Sequence, residues 1–288
     1  MNGIIIINKP LNCTSHDIVA KIKKISKSKV GHTGTLDPLA TGVLPILIGK
    51  GTLCSKYLIN HDKTYIATVQ LGIKTTTADS EGEVIEKKSI NKKILDEEYI
   101  QKKLYTFLGK QEQVPPMYSA IKVNGKKLYE YARKNQEIKV EPRQIEIYEI
   151  RLLNYDTNTD EIEFEVKCSK GTYIRSLCED IAQRLDTVGY MKKLNRVQVG
   201  EFNIKQAISV ANLNETKIEE NLIGIEQLFN NSEKIELNNK KLQLFLNGVQ
   251  LTNFNIDGQY RIYSDKKFIG IGIIKNQLLK RDIVIWIE

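Results

Sequence analysis

One short segment contains the residue types that could do chemistry, the loop Gly31–Gly42 with the sequence GHTGTLDPLATG. Its glycines permit tight backbone turns, and Asp37-Pro38 stiffens its centre. Two strongly apolar stretches, GIIIIN before the loop and VLPILIG after it, predict buried strands. A polar loop held by rigid strands is a typical position for an active-site carboxylate. Asp37 is therefore the candidate catalytic side chain, although an isolated loop aspartate more often serves as a turn or capping residue.

Two other functions of this loop can be compared with known motifs. The letters GHTG at 31–34 match the GXXG loop with which KH modules clamp single-stranded RNA, but a strand-like segment follows here instead of a helix. A phosphate-binding loop requires GxxxxGK[ST]. This chain has Gly51 after Gly49 and Lys50, and Leu44 in place of the first glycine. The pattern therefore argues against an NTPase.

The basic residues are concentrated in three blocks of the chain. Its 288 residues include 43 Lys+Arg against 35 Asp+Glu, a formal net charge of +8. Residues 1–60 have a net charge of +6, residues 102–151 of +5 and residues 233–288 of +3, whereas the remaining stretches sum to −6. Lysines on a solvated surface would be enough to explain the total net charge of +8. The segregation favours a polyanionic partner such as nucleic acid.

The composition argues against several other protein classes. No apolar run of about 18 residues predicts a membrane-spanning helix, and the start of the chain lacks the basic region and cleavage site of a secretory signal. The four cysteines are far apart with no CxxC pair, and the three histidines are scattered. We therefore expect no disulfide framework, no zinc-type cluster, no membrane association and a location in the reducing cytoplasm.

Hydrophobic periodicity predicts the elements that must position the loop. Helices are expected from Thr14 or Ser15 to Ser26, from Asp96 to Leu108 and from Thr172 to Leu185. With the predicted strands, they indicate an α+β fold: a mixed, largely antiparallel sheet with flanking helices and a cleft across it. From about Ile235, four segments predict the short strands of a small C-terminal β barrel, KLQLFL, GQYRIYS, KFIGIGIIK and DIVIWI.

Five separated stretches of the chain resemble, in the same order, the motifs of the TruB family of tRNA pseudouridine synthases. They cover roughly residues 3–202. The central stretch, KVGHTGTLDPLATGVLPILIG, contains Asp37. The others are GIIIINKPLNCTSHDIV, KTYIATVQLGIKTTTADSEGEV, QVPPMYSAIKVNGKKLYEYAR, and CSKGTYIRSLCEDIAQRL with the following LNRVQVGEF. The C-terminal strands are similar, more loosely, to a PUA-type RNA-binding domain.

The resemblance implies an activity, the isomerisation of uridine 55 in the T loop of tRNA to pseudouridine. The base would be flipped out, detached from its sugar and rejoined through carbon, with no metal or organic cofactor. The T arm of tRNA is then the expected partner, and no obligate protein partner is implied. The implied domains are residues 1–232 for catalysis, with an RNA-clasping insertion at about 113–143, and residues 233–288 for a PUA-like RNA-binding domain.

The same resemblance implies roles for individual side chains. Asp37 falls on the catalytic aspartate, acting either as a nucleophile or as a base on a ribose proton. Tyr65 falls on the aromatic that stacks against the target base, and Arg175 on an arginine for which we expect an ion pair with Asp37. Further substrate-binding positions are His32, Tyr173 and Leu194, and the expected phosphate contacts are Lys122, Lys126 and Lys127.

Two residues are expected to act on the architecture, and two depart from the family pattern. Lys9 is expected to pack beneath the loop of Asp37, and Asp79 to stabilise its own turn. Asn195 and Leu53 stand where basic residues are common in the family, which would weaken the affinity for RNA or its salt dependence.

Two alternative functions are compatible with the residues themselves. The first is an RNA-binding or tRNA-folding module with secondary or absent catalysis. The second is a hydrolase that uses Asp37 with His32, which would release base or cleave RNA instead of forming an isomer.

Overall fold

The computed structural model describes residues 1–92, 95–134, 136 and 138–286. Its α-helices are α1 (Ser15–Ser26), α2 (Ser55–Leu58), α3 (Glu97–Tyr105), α4 (Leu128–Ala132), α5 (Ile174–Arg184), α6 (Glu215–Glu220) and α7 (Asn239–Leu246). Its strands are β1 (Gly3–Lys9), β2 (Val30–His32), β3 (Ala40–Ile48), β4 (Lys63–Leu71), β5 (Ile73–Thr75), β6 (Val84–Lys87), β7 (Gly109–Gln113), β8 (Lys122–Val123), β9 (Lys126–Lys127), β10 (Arg143–Asp156), β11 (Glu161–Cys168), β12 (Gly189–Val199), β13 (Phe202–Asn203), β14 (Ile208–Ser209), β15 (Glu233–Glu236), β16 (Gly258–Ser264), β17 (Lys267–Lys275) and β18 (Leu278–Val284).

One large sheet forms the centre of the molecule. Its strand order is β14-β1-β3-β12-β4-β11-β10-β7, with β2 paired to β3 and β13 paired to β12. The pairs β1–β14 and β3–β12 are parallel, and the other pairs of this sheet are antiparallel. The predicted α+β class, with a mixed and largely antiparallel sheet, is confirmed.

Three helices cover one face of this sheet and enclose the main hydrophobic core. Ile22 of α1, Leu104 of α3 and Ile181 of α5 are buried there with Val69 of β4 and Phe164 of β11. Along β11 the buried positions alternate, and along β4 they do so except at the buried Thr68, because successive side chains of a strand point to opposite faces. The apolar periodicity of the sequence thus corresponds to this helix-covered face.

The helix boundaries follow local capping signals. Thr14 caps α1 and exchanges hydrogen bonds with Asp17, which accepts from the Thr14 N–H at 2.8 Å. Asp96 caps α3, as predicted, by accepting from the N–H of Tyr99 at 2.7 Å. This helix ends at Tyr105, earlier than expected, because the N–H groups that follow bond to carbonyls three residues back and tighten the last turn.

A second hydrophobic cluster lies on the other face of the sheet. Ile6 and Leu47, from β1 and β3, pack there with Phe229 and with Ile271 and Ile283 of the C-terminal strands. The C-terminal sheet, in the order β15-β16-β17-β18, therefore rests against the large sheet and also encloses a third cluster of its own. Among the helices that the structure describes, none is long and apolar enough to cross a membrane.

The C-terminal segment differs from its prediction in two ways. KLQLFL was expected to be a strand, but it lies in α7, which Asn238 caps by accepting from the N–H of Lys241 at 2.9 Å. Leu242 and Phe245, three positions apart, lie on one helical face and are buried in the C-terminal cluster. In the described residues β15 and β18 do not pair with each other, so the sheet is open. The small C-terminal β barrel is therefore not confirmed, since α7 covers part of this core instead of strands.

Candidate active site

The loop of Asp37 connects β2 to β3 and is attached to the protein along its length. The N–H of Thr33 donates to the carbonyl of Pro45, and the N–H of Ala40 to the carbonyl of Asp37. The hydroxyl of Ser15 both accepts from the N–H of Leu36 at 2.8 Å and donates to its carbonyl at 3.1 Å. Since Ser15 begins α1, the helix and the loop are held in register.

Lys9 supports the same loop from beneath, as expected. Its side chain is fully buried, and Nζ donates to the carbonyls of Pro10 at 2.9 Å, Cys13 at 2.6 Å and Pro38 at 3.3 Å. Burial lowers the pKa of Lys9, and the charges of Cys13 and Asp37 partly oppose this change. A buried ammonium surrounded by carbonyls keeps its hydrogen bonds only if the loop stays in place.

Arg175 joins the loop to two other segments. Its Nη2 lies 3.2 Å from Oδ2 of Asp37 and donates to the carbonyl of Tyr118 at 2.7 Å. Its Nη1 lies 3.3 Å from Oδ2 of Asp79. The ion pair between Arg175 and Asp37, expected from the sequence, is confirmed. The side chains of Arg175 and Asp79 are 8% and 4% exposed, but that of Asp37 is 41% exposed and free to meet a ligand.

A cavity of about 460 Å³ opens in front of Asp37. Five of the residues singled out from the sequence line it together, namely Asp37, Tyr65, Tyr173, Arg175 and Leu194. They come from a loop, from the facing strands β4 and β12, and from the start of α5. A pocket of this size with aromatic walls and one ion pair has the dimensions and chemistry of a small-ligand site. It suits a flat, partly polar ring.

The other residues singled out from the sequence lie outside the lining of this cavity. His32 is half-buried on β2, where Nδ1 accepts from the N–H of Gly34 at 3.3 Å. Burial, followed by the charge of Arg196, lowers the pKa of His32. Lys122, Lys126 and Lys127 are on the β8–β9 hairpin, whose turn is formed by Asn124 and Gly125 at positive φ.

The insertion contributes two aromatic side chains that the sequence reasoning missed. Tyr118 and Tyr129 line the cavity of Asp37, and the N–H of Tyr129 donates to the carbonyl of Ser119 at 3.1 Å. The base of the insertion is fixed to α5, because Gln113 accepts from the N–H of Tyr173 at 2.8 Å and donates to its carbonyl at 3.0 Å. The tyrosines that stand among the lysines of this segment are the sequence signal for this wall of the cavity.

Asp79 has a larger part than its own turn. As expected, Oδ1 accepts from the hydroxyl of Thr77 at 2.5 Å and from the N–H of Glu81 at 3.1 Å. Its other oxygen faces Arg175, a contact between distant segments that no local pattern could indicate. Within the described part of the chain, no group of three or more His, Cys, Asp or Glu side chains is placed to hold a metal ion.

Comparison with known proteins assigns the fold and then the family. The chain superposes on a chain of a solved structure titled "Crystal Structure of a Cbf5-Nop10-Gar1 Complex" with a TM-score of 0.68 and 25% identity, covering 94% of this chain and 78% of the other. The model of the TruB family pseudouridylate synthase N-terminal domain matches residues 22–174, and that of the tRNA pseudouridylate synthase B C-terminal domain matches residues 175–230.

Curated relatives agree with these family models. The chain is 46% identical to tRNA pseudouridine synthase B of Clostridium novyi (strain NT) over 97% of this chain and 98% of the relative. It is 44% identical to the protein of the same name from Clostridium tetani (strain Massachusetts / E88), over 94% and 95%. The chain therefore belongs to the TruB family of pseudouridylate synthases, isomerases that convert uridine to pseudouridine. The resemblance found in the sequence is confirmed.

Proposed function

We propose that the protein isomerises uridine 55 in the T loop of tRNA, with Asp37 as the catalytic residue. The observation that supports this most directly is the half-exposed carboxylate of Asp37, held 3.2 Å from Arg175 in an aromatic-walled cavity. In the reaction the bond from C1′ to N1 breaks and a bond from C1′ to C5 forms. The proton of C5 is lost and N1 gains one, so the product has the mass of the substrate.

Asp37 and Arg175 divide the work at the reacting nucleotide. Arg175 is anchored on its buried side by Asp79 and by the carbonyl of Tyr118, so it presents a fixed guanidinium edge to Asp37. A charge-assisted pair of this kind orients the carboxylate toward the cavity. Asp37 then acts on the base or sugar as a nucleophile, or removes a ribose proton as a base.

The aromatic walls support base flipping. A uridine inside a folded loop must be unstacked before Asp37 can reach its sugar, at a cost of a few kcal/mol. Stacking on one aromatic ring returns roughly 1–3 kcal/mol. Tyr65 is 8% exposed and Leu194 is 9% exposed, so both offer a small surface at the cavity wall without changing position. Tyr173 lines the cavity beside them, and His32, next to the loop, assists in holding the flipped conformation.

The substrate is larger than one base, and we assign the binding of the surrounding RNA to two surfaces of the protein. Lys122, Lys126 and Lys127, on the hairpin of the insertion at about 113–143, contact phosphates next to the flipped nucleotide. Residues 233–288 form a PUA-like RNA-binding domain beside a catalytic domain at 1–232. Their net charge of +3 and their separate hydrophobic cluster support this division.

The names of the curated relatives support tRNA as the substrate. The T arm of tRNA is the part that the proposal requires. We further propose that the protein acts in the cytoplasm, and the proposed reaction requires no partner protein and no cofactor.

The proposal is tested with an unmodified tRNA transcript, mapping pseudouridine to the nucleotide without added metal or cofactor. We expect product at uridine 55 with the wild-type protein and with Asp257→Asn, a control at an exposed aspartate of the C-terminal segment. Asp37→Asn is expected to bind the RNA and form no product. Binding without product in the wild type would favour an RNA-binding module, and released base or cleaved RNA would favour a hydrolase.

A further inference from the structure

Arg196 is the largest fully buried side chain of the described structure, at 1% exposure. It lies on β12 directly between two strands that carry the site, opposite Gly42 of β3 and opposite Tyr65 of β4. Cross-strand neighbours share a face of the sheet, so the side chains of Arg196 and Tyr65 lie side by side. The guanidinium is therefore located beneath the cavity of Asp37, outside its lining.

The contacts of this guanidinium are with the loop of Asp37 and with Tyr65. Nε donates to the carbonyl of Val43 at 2.8 Å, and Nη2 donates to the carbonyl of Gly34 at 3.1 Å. Asp37 lies between these two residues, so one side chain holds both ends of its loop. Burial lowers the pKa of Arg196, and Tyr65, its neighbour on β4, partly opposes this change.

The backbone is shaped to allow this arrangement. Gly42 has a φ of +106°, and a Cβ there would lie 2.2 Å from the carbonyl oxygen of Arg196. Gly34 has a φ of +135°, and a Cβ there would be 3.5 Å from Nη1 of Arg196. Gly42 therefore permits the close approach of β12, and both glycines have backbone angles at which other residues would be strained.

A packing role alone does not account for a guanidinium at this position. Among the residues that the structure describes, no carboxylate forms an ion pair with Arg196. A buried cation without a carboxylate is costly, and an apolar side chain of similar volume would fill the space at lower cost. What an apolar side chain could not do is donate hydrogen bonds to two backbone carbonyls, at the two ends of the loop, at once.

We propose that Arg196 is a positioning residue, which fixes the loop of Asp37 relative to Tyr65, its neighbour on β4. This inference rests on the proposed function, because it assigns Arg196 to the geometry of that reaction. The side chain of Arg196 lies outside the lining of the cavity. Its effect reaches the reacting atoms through the two ends of the loop and through the ring that stacks on the base.

The test compares Arg196→Lys and Arg196→Met with the wild-type protein. Lysine keeps the charge but cannot span both carbonyls, and methionine keeps only the volume. Since a displacement of about 1 Å can cost roughly 100-fold in rate, we expect a single-turnover rate constant about 100-fold lower for Arg196→Lys. The Kd for tRNA should stay within about threefold, because the side chain meets no RNA. Arg151→Met, at an exposed arginine that pairs with Glu165, is the matched control and should change neither.

Two further measurements separate positioning from mere stability. Amide hydrogen exchange of the peptide covering 31–43 should accelerate in Arg196→Lys, but not in Arg151→Met, which tests the loop contacts without any activity. In a Tyr65→Phe background, the lysine substitution should cost less than in the wild type, because the phenol group next to the guanidinium is already absent. If Arg196→Met does not fold, Arg196→Lys and this double-mutant cycle test the proposal without it.

The outcomes distinguish this inference from the proposed function. A wild-type protein that forms no pseudouridine would contradict the proposed function, while loop exchange would still test the contacts of Arg196. An active wild type whose Arg196→Lys variant turns over at the wild-type rate would overturn the role of Arg196 alone. The same conclusion would follow if exchange of the loop were unchanged, or if the lysine substitution cost equally much with and without the Tyr65 hydroxyl.

Discussion

Two aspartates share the guanidinium of Arg175, and we expect their substitutions to have opposite signatures. Asp79 is buried and makes three polar contacts, at 2.5, 3.1 and 3.3 Å. Asp79→Asn would remove the charge that neutralises a buried guanidinium, for which the expected loss in the free energy of unfolding is about 3 kcal/mol. Asp37 is 41% exposed, so solvent screens its half of the network and Asp37→Asn should cost no more than about 1 kcal/mol.

The effects on activity should run the other way. Asp37→Asn removes the group that acts on the nucleotide, so no pseudouridine should form even when all of the protein is folded. Asp79→Asn leaves Asp37 in place and loosens the arginine that orients it. The single-turnover rate constant should then fall by roughly 10- to 100-fold and stay measurable, because a small displacement of a catalytic group reduces the rate without abolishing it.

Urea unfolding and single-turnover pseudouridine formation measure the two quantities on the same preparations. The denaturant slope should be equal among wild type, Asp37→Asn, Asp79→Asn and the control Asp257→Asn, so that midpoints report stability. A loss of stability in Asp37→Asn as large as that in Asp79→Asn would refute the reasoning from burial. So would an Asp79→Asn protein with wild-type stability.

Three further outcomes are expected. Burial lowers the pKa of Lys63 to about 8 from its ordinary 10.5, so as the pH rises the native state releases this proton before the unfolded state does. The free energy of unfolding of the wild type should therefore increase, relative to that of Lys63→Met, between pH 8 and pH 10.5. Urea unfolding should show an increase of roughly 3 kcal/mol at most. Replacing Lys122, Lys126 and Lys127 together by alanine should reduce the magnitude of the slope of the log binding constant for tRNA against log salt concentration by about 2 to 3. An unchanged slope would exclude these phosphate contacts. A thiol reagent should modify Cys13 rapidly in the native protein and the three buried cysteines only on unfolding; fast labelling of all four would contradict their burial.

The sequence by itself determined the local elements and the identity of the main chemical group. The cap at Thr14 and the apolar spacing after it specify α1, and alternation specifies β4, because both signals lie within one element. The spacing in KLQLFL was compatible with a strand and with a helix, and the cap at Asn238 together with burial of Leu242 and Phe245 against the C-terminal strands selects the helix. The resemblance to the family also lies in the sequence, in five stretches of which one contains Asp37.

The tertiary structure alone decided which side chains surround Asp37. Arg175 meets Asp79 and the carbonyl of Tyr118, and these contacts join segments that are far apart in the chain. The role of Arg196 could not be predicted from the sequence, because an arginine on a strand gives no sign of whether its side chain is exposed or lies beneath a cavity. Local propensity acts over a few residues, whereas burial and ion pairing depend on which strands become neighbours. That order, with β12 between β3 and β4, exists only in the folded sheet.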